Sequence, residues 1–186
     1  MRDEIFCQNN QKLSLIKEWP NSPDFDDLAL GINWRQNQIK IFGKTYDEPR
    51  LTAWFGPAYK YSSIRWESRP FPPQLSKLLH DVSVACAFPF NAVLCNFYRD
   101  GNDAMGWHAD NEPEINTSCI ASLSLGASRT MFFKSRHNEE KITIELHNKT
   151  LLVIENMQEN WLHAIPKRKK ITEARINLTF RQILVQ

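Results

Sequence analysis

From Asn91 onward the chain breaks into short apolar runs: "NAVLCNFY", "CIASLSLG", "TMFFKS", "KITIELH", "LLVIE", "WLHAI" and "RINLTFRQILV", with turn-formers or charged residues between them. Many short strands in series predict a β-sandwich or jelly roll. Before residue 89 the pattern is less regular. It offers a short helix around "DFDDLALGI", a short strand "IKIFG" and a stretch rich in proline and aromatics. "PPQLSKLLHDVSVACA" follows, with Leu75, Leu78, Leu79 and Val82 at helical spacing behind two prolines suited to a helix start. There is no repeat and no low-complexity linker. The pattern predicts an α+β, mainly β protein with a jelly-roll core over about 89–186. An N-terminal extension over about 1–88 would wrap or cover that core within one domain, 1–186.

One strand has two chemically different faces. In "RINLTFR" side chains alternate with period two, so Arg175, Asn177, Thr179 and Arg181 share one face and Ile176, Leu178 and Phe180 the other. A polar row of this kind either faces water with an ion pair or points inward and holds something. Two guanidiniums facing inward would grip an anion, because arginine pairs with carboxylates bidentately and keeps its charge when buried. "NFY" places Asn96 and Tyr98 two apart on another strand face, as neutral donors to the same ligand.

Length and composition narrow the classes. At 186 residues the chain can bury a proper core, and 23 Lys plus Arg against 21 Asp plus Glu leave a net charge of +2. A polyanion partner must therefore be recognised by local patches. Cys7, Cys86, Cys95 and Cys119 form no C-x-x-C pair, which argues against a disulfide framework or a cysteine zinc site. A reduced intracellular setting is expected: cytoplasm in a bacterium, nucleus in a eukaryote. "MRDEIFCQNN" has no apolar signal core, and "VSVACAFPF" is too short to span a bilayer, so no membrane association is expected. The protein is expected to be a monomer.

"GWHADNE" sets His108 and Asp110 two apart, so that on an extended segment both can close on one metal ion. His163 in "NWLHAIP" is the best third ligand among the five histidines. Two histidines and a carboxylate on one face of a metal leave the opposite positions open, as in non-haem Fe(II) oxygen chemistry. An H-x-D pair also arises by chance, and His108 could equally serve on the surface or cap a helix.

"NFYRDGNDAMGWHADNE", "SLSLGASRTMFF", "WLHAIPKRKK" and "ARINLTFRQI" strongly resemble the AlkB-like Fe(II)/2-oxoglutarate dioxygenases, over roughly residues 38–183. The resemblance implies a double-stranded β-helix (jelly roll) with an N-terminal nucleotide-recognition lid of helix and β-hairpin. It implies His108, Asp110 and His163 as iron ligands, with 2-oxoglutarate and O2 as cosubstrates. Arg175, helped by Tyr98 and Asn177, would hold the distal carboxylate of 2-oxoglutarate, with Arg181 and Asn96 near its chelating end. The implied activity is oxidative dealkylation of bases such as 1-methyladenine and 3-methylcytosine, releasing formaldehyde, succinate and CO2. The alternatives are a dioxygenase acting on RNA or protein, and a lesion-binding module without turnover.

A base in a duplex must be flipped out to be reached. "IKIFGK" resembles the finger of the branch that acts on double-stranded DNA, which makes Phe42 a wedge for the gap; read alone, Phe42 is an ordinary core aromatic. Duplex DNA is thus the expected partner, with single-stranded DNA and RNA as alternatives. Arg50 in "EPRLTAWFGPAYKYSS", Tyr61 and Glu112 complete the substrate set implied by the resemblance. Ser63 stands where that branch stacks an aromatic, and Asn111 replaces an acid. The run Lys167–Lys170 is either a solvated turn, a targeting signal or, with Arg50, a phosphate contact at the pocket rim.

Overall fold

The computed structural model describes residues 2–20, 22–41, 43–61 and 64–184, with the side chains of 40, 41, 59–61, 64 and 65 outside that description. The strands are β1 (Arg2–Gln8), β2 (Gln11–Ile16), β3 (Gln38–Ile41), β4 (Lys44–Asp47), β5 (Leu51–Phe55), β6 (Tyr59–Tyr61), β7 (Ile64–Trp66) and β8 (Ala92–Tyr98). They continue as β9 (Met105–His108), β10 (Cys119–Gly126), β11 (Arg129–Ser135), β12 (Lys141–Leu146), β13 (Thr150–Glu155), β14 (Trp161–Ile165) and β15 (Arg175–Arg181). Two helices, α1 (Phe25–Gly31) and α2 (Pro73–Cys86), complete the described elements.

A seven-stranded sheet, β1-β2-β13-β10-β15-β8-β5, packs against a four-stranded sheet, β12-β11-β14-β9, and every pairing is antiparallel. The large sheet is covered on both faces. On its outer face Leu123, Val153, Ile176, Leu178 and Phe180 meet Leu75, Leu78 and Val82 of α2 and Leu28 of α1. Between the sheets lie Leu94, Tyr98, Ile120, Leu152, Ile154, Met131, Phe133 and Ile165. This resolves the two-faced strand: the apolar row of β15 lies beneath the helices and the polar row turns into the molecule.

The helices follow local chemistry. Asp24 caps α1 by accepting the N–H groups of Asp26 and Asp27 at 2.9 and 3.2 Å. Prolines open α2, and Ala87 ends it in the left-handed conformation at φ 49°. No described helix is long and apolar enough to cross a membrane.

The first 88 residues are more regular than the hydrophobic pattern implies. β1 and β2 form a hairpin around Asn9 and Asn10, at φ 49° and 65°, the left-handed pair that a tight two-residue turn requires. β2 then pairs with β13, and β5 with β8, so residues before 89 supply both edges of the large sheet as well as any covering. The strand expected at "IKIFG" is β3, hairpinned to β4; Phe42, between them, lies outside the described residues.

One loop contact sets a constraint. The turn after β8 is bonded to the basic loop after β14: Gly101 N–H donates to Ile171 O at 2.8 Å and Arg168 N–H to Gly101 O at 2.7 Å. A Cβ on Gly101 would lie 1.8 Å from the Arg168 carbonyl oxygen, which is backbone and cannot swing aside. Gly101→Ala is therefore expected to lower stability by about 3 kcal/mol, read as a fall in the urea midpoint at unchanged slope. A midpoint within error of wild type would mean the two loops are not held together in solution.

Candidate active site

β9 and β14 pair with His108 opposite His163, so cross-strand register alone sets the two imidazoles side by side, ring centroids 4.2 Å apart. Asp110 follows just past the end of β9. One ligand atom from each of His108, Asp110 and His163 falls within 4.8 Å of the others, close enough to share one ion. His108 Nδ1 sits 2.9 Å from the Gly106 carbonyl oxygen. A carbonyl can only accept, so Nδ1 carries the proton and Nε2 presents its lone pair, on the side facing Asp110 Oδ1 at 3.9 Å.

Electrostatics prepare the three groups. Burial alone would raise the Asp110 carboxyl, but the Arg181 guanidinium, whose Nη2 donates to Asp110 Oδ1 at 2.6 Å, brings it down to about 2. Burial, reinforced by the neighbouring His108, pushes His163 down to about 3, and burial also lowers His108. At neutral pH the trio is one anion and two neutral imidazoles, the forms that bind a metal. Gln158 holds the loop by accepting the Asp110 N–H at 2.9 Å.

A cavity between the sheets runs from this trio to Arg175. Its lining includes Arg50, Asn96, Tyr98, Arg175, Asn177, Thr179 and Arg181, with Leu94, Ile120, Met131, Ile154 and Ile165 as apolar wall. Register explains the polar side: Arg175 pairs with Tyr98 and Asn177 with Asn96 across β15 and β8. Arg175 is 1% exposed; its Nη2 donates to Ser124 Oγ at 2.8 Å, while Nε and Nη1 have no hydrogen-bond partner among the described residues. Its guanidinium lies over the Tyr98 ring, 5.2 Å from the centroid, and Arg129 approaches the same ring at 5.5 Å. Burial lowers Arg175 to about 10, so it remains a cation at neutral pH. Asn177 lines the cavity, but its Nδ2 already donates to Ser122 Oγ and to Leu123 O, at 2.7 and 3.2 Å.

Of the other expected residues, Arg50 differs most. It is 4% exposed, ion-paired to Glu48 at 2.9 Å and bonded to Asn96 at 2.8 Å, so it belongs to the cavity and not to a phosphate-facing surface. Glu112 is half-buried in the turn beyond Asp110 and is not among the cavity lining. Tyr61 ends β6, and its side chain, like Ser63, lies outside the described residues. The Lys167–Lys170 run is exposed, in the loop leading to the Arg175 end of β15. Ser122, Ser124, Glu48 and Gln158 were not foreseen. "SLSL" repeats the alternation of "RINLTFR" and could have placed the two serines; nothing local marks Gln158.

Two adjacent imidazoles and a carboxylate between the sheets of a double-stranded β-helix define the metal centre of a non-haem iron oxygenase. The sequence profile of the 2OG-Fe(II) oxygenase superfamily matches residues 7–181, and the chain belongs to that family. Its relatives are AlkB-like. The chain is 38% identical over 172 residues to the alpha-ketoglutarate-dependent dioxygenase alkB homolog 3 of Mus musculus, covering 85% of this chain and 60% of that protein. It is 35% identical over 160 residues to the DNA oxidative demethylase ALKBH2 of Mus musculus, covering 79% and 67%. The solved structure of OsALKBH1 superposes with a TM-score of 0.64 over 96% of this chain and 99% of that one, at 16% identity, which confirms the fold. The chain spans about three fifths of the length of the first of these relatives.

The family uses Fe(II), 2-oxoglutarate and O2. The residues present fit that set: the trio offers three ligand atoms of the right kind, and the buried, unpartnered Nε and Nη1 of Arg175 are donors awaiting an anion.

Proposed function

We propose that the protein is an Fe(II)/2-oxoglutarate-dependent dioxygenase that removes N-linked methyl groups from bases such as 1-methyladenine and 3-methylcytosine in DNA, with duplex DNA as the preferred form. The observation that carries this is the pairing, in one cavity, of the His108–Asp110–His163 trio with a buried guanidinium two of whose nitrogens have no hydrogen-bond partner among the described residues. A lesion-binding module has no use for such an anion site. The relative named a DNA oxidative demethylase supports DNA as the substrate class.

In this reading His108, Asp110 and His163 hold the iron, Arg175 receives the distal carboxylate with Tyr98 beside it, and Asn96 and Arg181 border the chelating end. The bound iron, with 2-oxoglutarate and O2, supplies the oxidation of a methyl C–H bond: one oxygen atom ends in succinate, the other on the methyl carbon, and CO2 leaves. The resulting N-hydroxymethyl group loses formaldehyde and restores the base. The protein's part is placement. Arg181 keeps Asp110 anionic and aimed, Gly106 fixes the His108 tautomer, and the Leu94, Ile120, Ile154 and Ile165 wall excludes water.

The test is a mass-spectrometric nucleoside assay on duplex and single-stranded oligonucleotides carrying either lesion, with Fe(II) and 2-oxoglutarate and with His108→Ala as control. Wild type alone should remove the methyl group, faster from duplex, and Phe42→Ala should lose the duplex rate while keeping most of the single-strand rate. Succinate formation driven only by a methylated RNA or protein would retain the iron site and discard DNA as substrate.

A further inference from the structure

Glu48 is 2% exposed and anchors a chain of contacts that reaches the cavity. Its Oε1 accepts from Arg50 Nη2 at 2.9 Å, and Arg50 Nε in turn donates to Asn96 Oδ1 at 2.8 Å. All three side chains are buried, and Arg50 and Asn96 line the cavity. An arginine Nε–H can only donate, so the Asn96 amide has one orientation: oxygen toward Arg50, and the Nδ2 donors left for the cavity. Were Arg50 to swing away, the amide would be free to flip and present an acceptor instead. The other carboxylate oxygen, Oε2, takes Asn37 Nδ2 at 3.2 Å and Thr52 Oγ1 at 3.4 Å, while Glu48 N–H donates to Asn37 O at 2.8 Å. Asn37 and Glu48 flank the β3–β4 hairpin, so one carboxylate closes the base of that hairpin and fixes the cavity amide.

We propose that Glu48 is a positioning residue for cosubstrate binding: by clamping Arg50 it fixes the Asn96 amide as a donor toward the chelating end of 2-oxoglutarate. This rests on the reading of Asn96 as a cosubstrate contact. Glu48 itself does not line the cavity and acts on it only through Arg50. Its negative charge makes the proposal testable by sign. A carboxylate felt only through its field would repel a dianion, so neutralising it would tighten 2-oxoglutarate binding. A carboxylate that positions donors would, on removal, weaken it.

The experiment is calorimetric titration of 2-oxoglutarate into Mn(II)-loaded protein for wild type, Glu48→Gln, Asn96→Ala and the double variant. Glu48→Gln should raise Kd about tenfold, within the range typical of residues that orient ligand-binding groups, with Mn(II) affinity unchanged. In the Asn96→Ala background the further change should be under about twofold, since the effect passes through the missing amide. Arg50→Lys, whose ammonium lacks the fork that reaches both neighbours, should match Glu48→Gln and carries the test if that variant does not fold. Tighter binding by Glu48→Gln, or additive effects in the double variant, would overturn the proposal while leaving Asn96 as a contact. No effect of Asn96→Ala alone would overturn both.

Discussion

Asp110→Asn protein should lose turnover by at least a thousandfold and bind Mn(II) at least a hundredfold more weakly than wild type. Asparagine keeps the size of the side chain and can still accept from Arg181, so the loss isolates the charge. That charge has two partners. One is the metal, for which an anionic oxygen is a far better ligand than an amide oxygen beside two neutral imidazoles. The other is Arg181, which is 3% exposed and whose Nη2 lies 2.6 Å from Asp110 Oδ1. Removing one member of a buried ion pair typically costs about 3–5 kcal/mol because the surviving charge loses its compensation. The metal-free variant should therefore also unfold at lower urea. The two readings are separable: metal titration reports the ligand, and unfolding without metal reports the counter-ion. Wild-type Mn(II) affinity in Asp110→Asn would remove Asp110 from the metal site and leave only its structural pairing.

Much of this is legible in the sequence, for reasons that differ by residue. His108 and Asp110 are two apart on extended chain, so a short-range rule reaches them. His163 lies on a strand that meets β9 only through the fold, and its pairing opposite His108 is a matter of register that no local pattern expresses. Its strand-like segment made it the best candidate among the five histidines, and the resemblance to a known family made it an expected ligand. The inward face of β15 followed from period two, yet whether such a face turns to water or to a cavity depends on α1 and α2 covering the opposite side. Arg50 shows the limit most clearly. An arginine beside a Pro- and aromatic-rich stretch reads as surface charge, and only the buried Glu48 two residues earlier, meeting it across the turn into β5, makes burial affordable. The β1–β2 hairpin was within reach, since "QNNQ" carries two residues tolerant of positive φ, but charged positions at Arg2, Asp3 and Glu4 hid the strand. Edge strands carry charge for good reason, and that is what blurs them in a sequence.

Arg175→Met should give the second large effect, and in opposite directions for function and stability. Arg175 sits 1% exposed, and among the described residues no carboxylate pairs with it; its guanidinium donates to the Ser124 hydroxyl and lies over the Tyr98 ring. A buried cation so placed is a cost to the metal-free, ligand-free fold, one that a methionine of similar length would relieve. The variant alone should therefore melt no lower than wild type, and by a few degrees higher if the void left by the guanidinium fills. Binding should suffer in proportion. Without the fork that pairs with a carboxylate, 2-oxoglutarate should bind the Mn(II)-loaded protein at least a hundredfold more weakly. Thermal shift reads both at once: 2-oxoglutarate at about a hundred times its wild-type Kd stabilises wild type by about 2.7 kcal/mol, and the same concentration should barely move the variant. A variant that melted far below wild type would make Arg175 a structural cation whose partner lies in the wall. One that kept the full ligand-induced shift would place the carboxylate elsewhere. The expected combination, stability kept or raised with loss of ligand response, is the mark of a site that holds strain in order to bind.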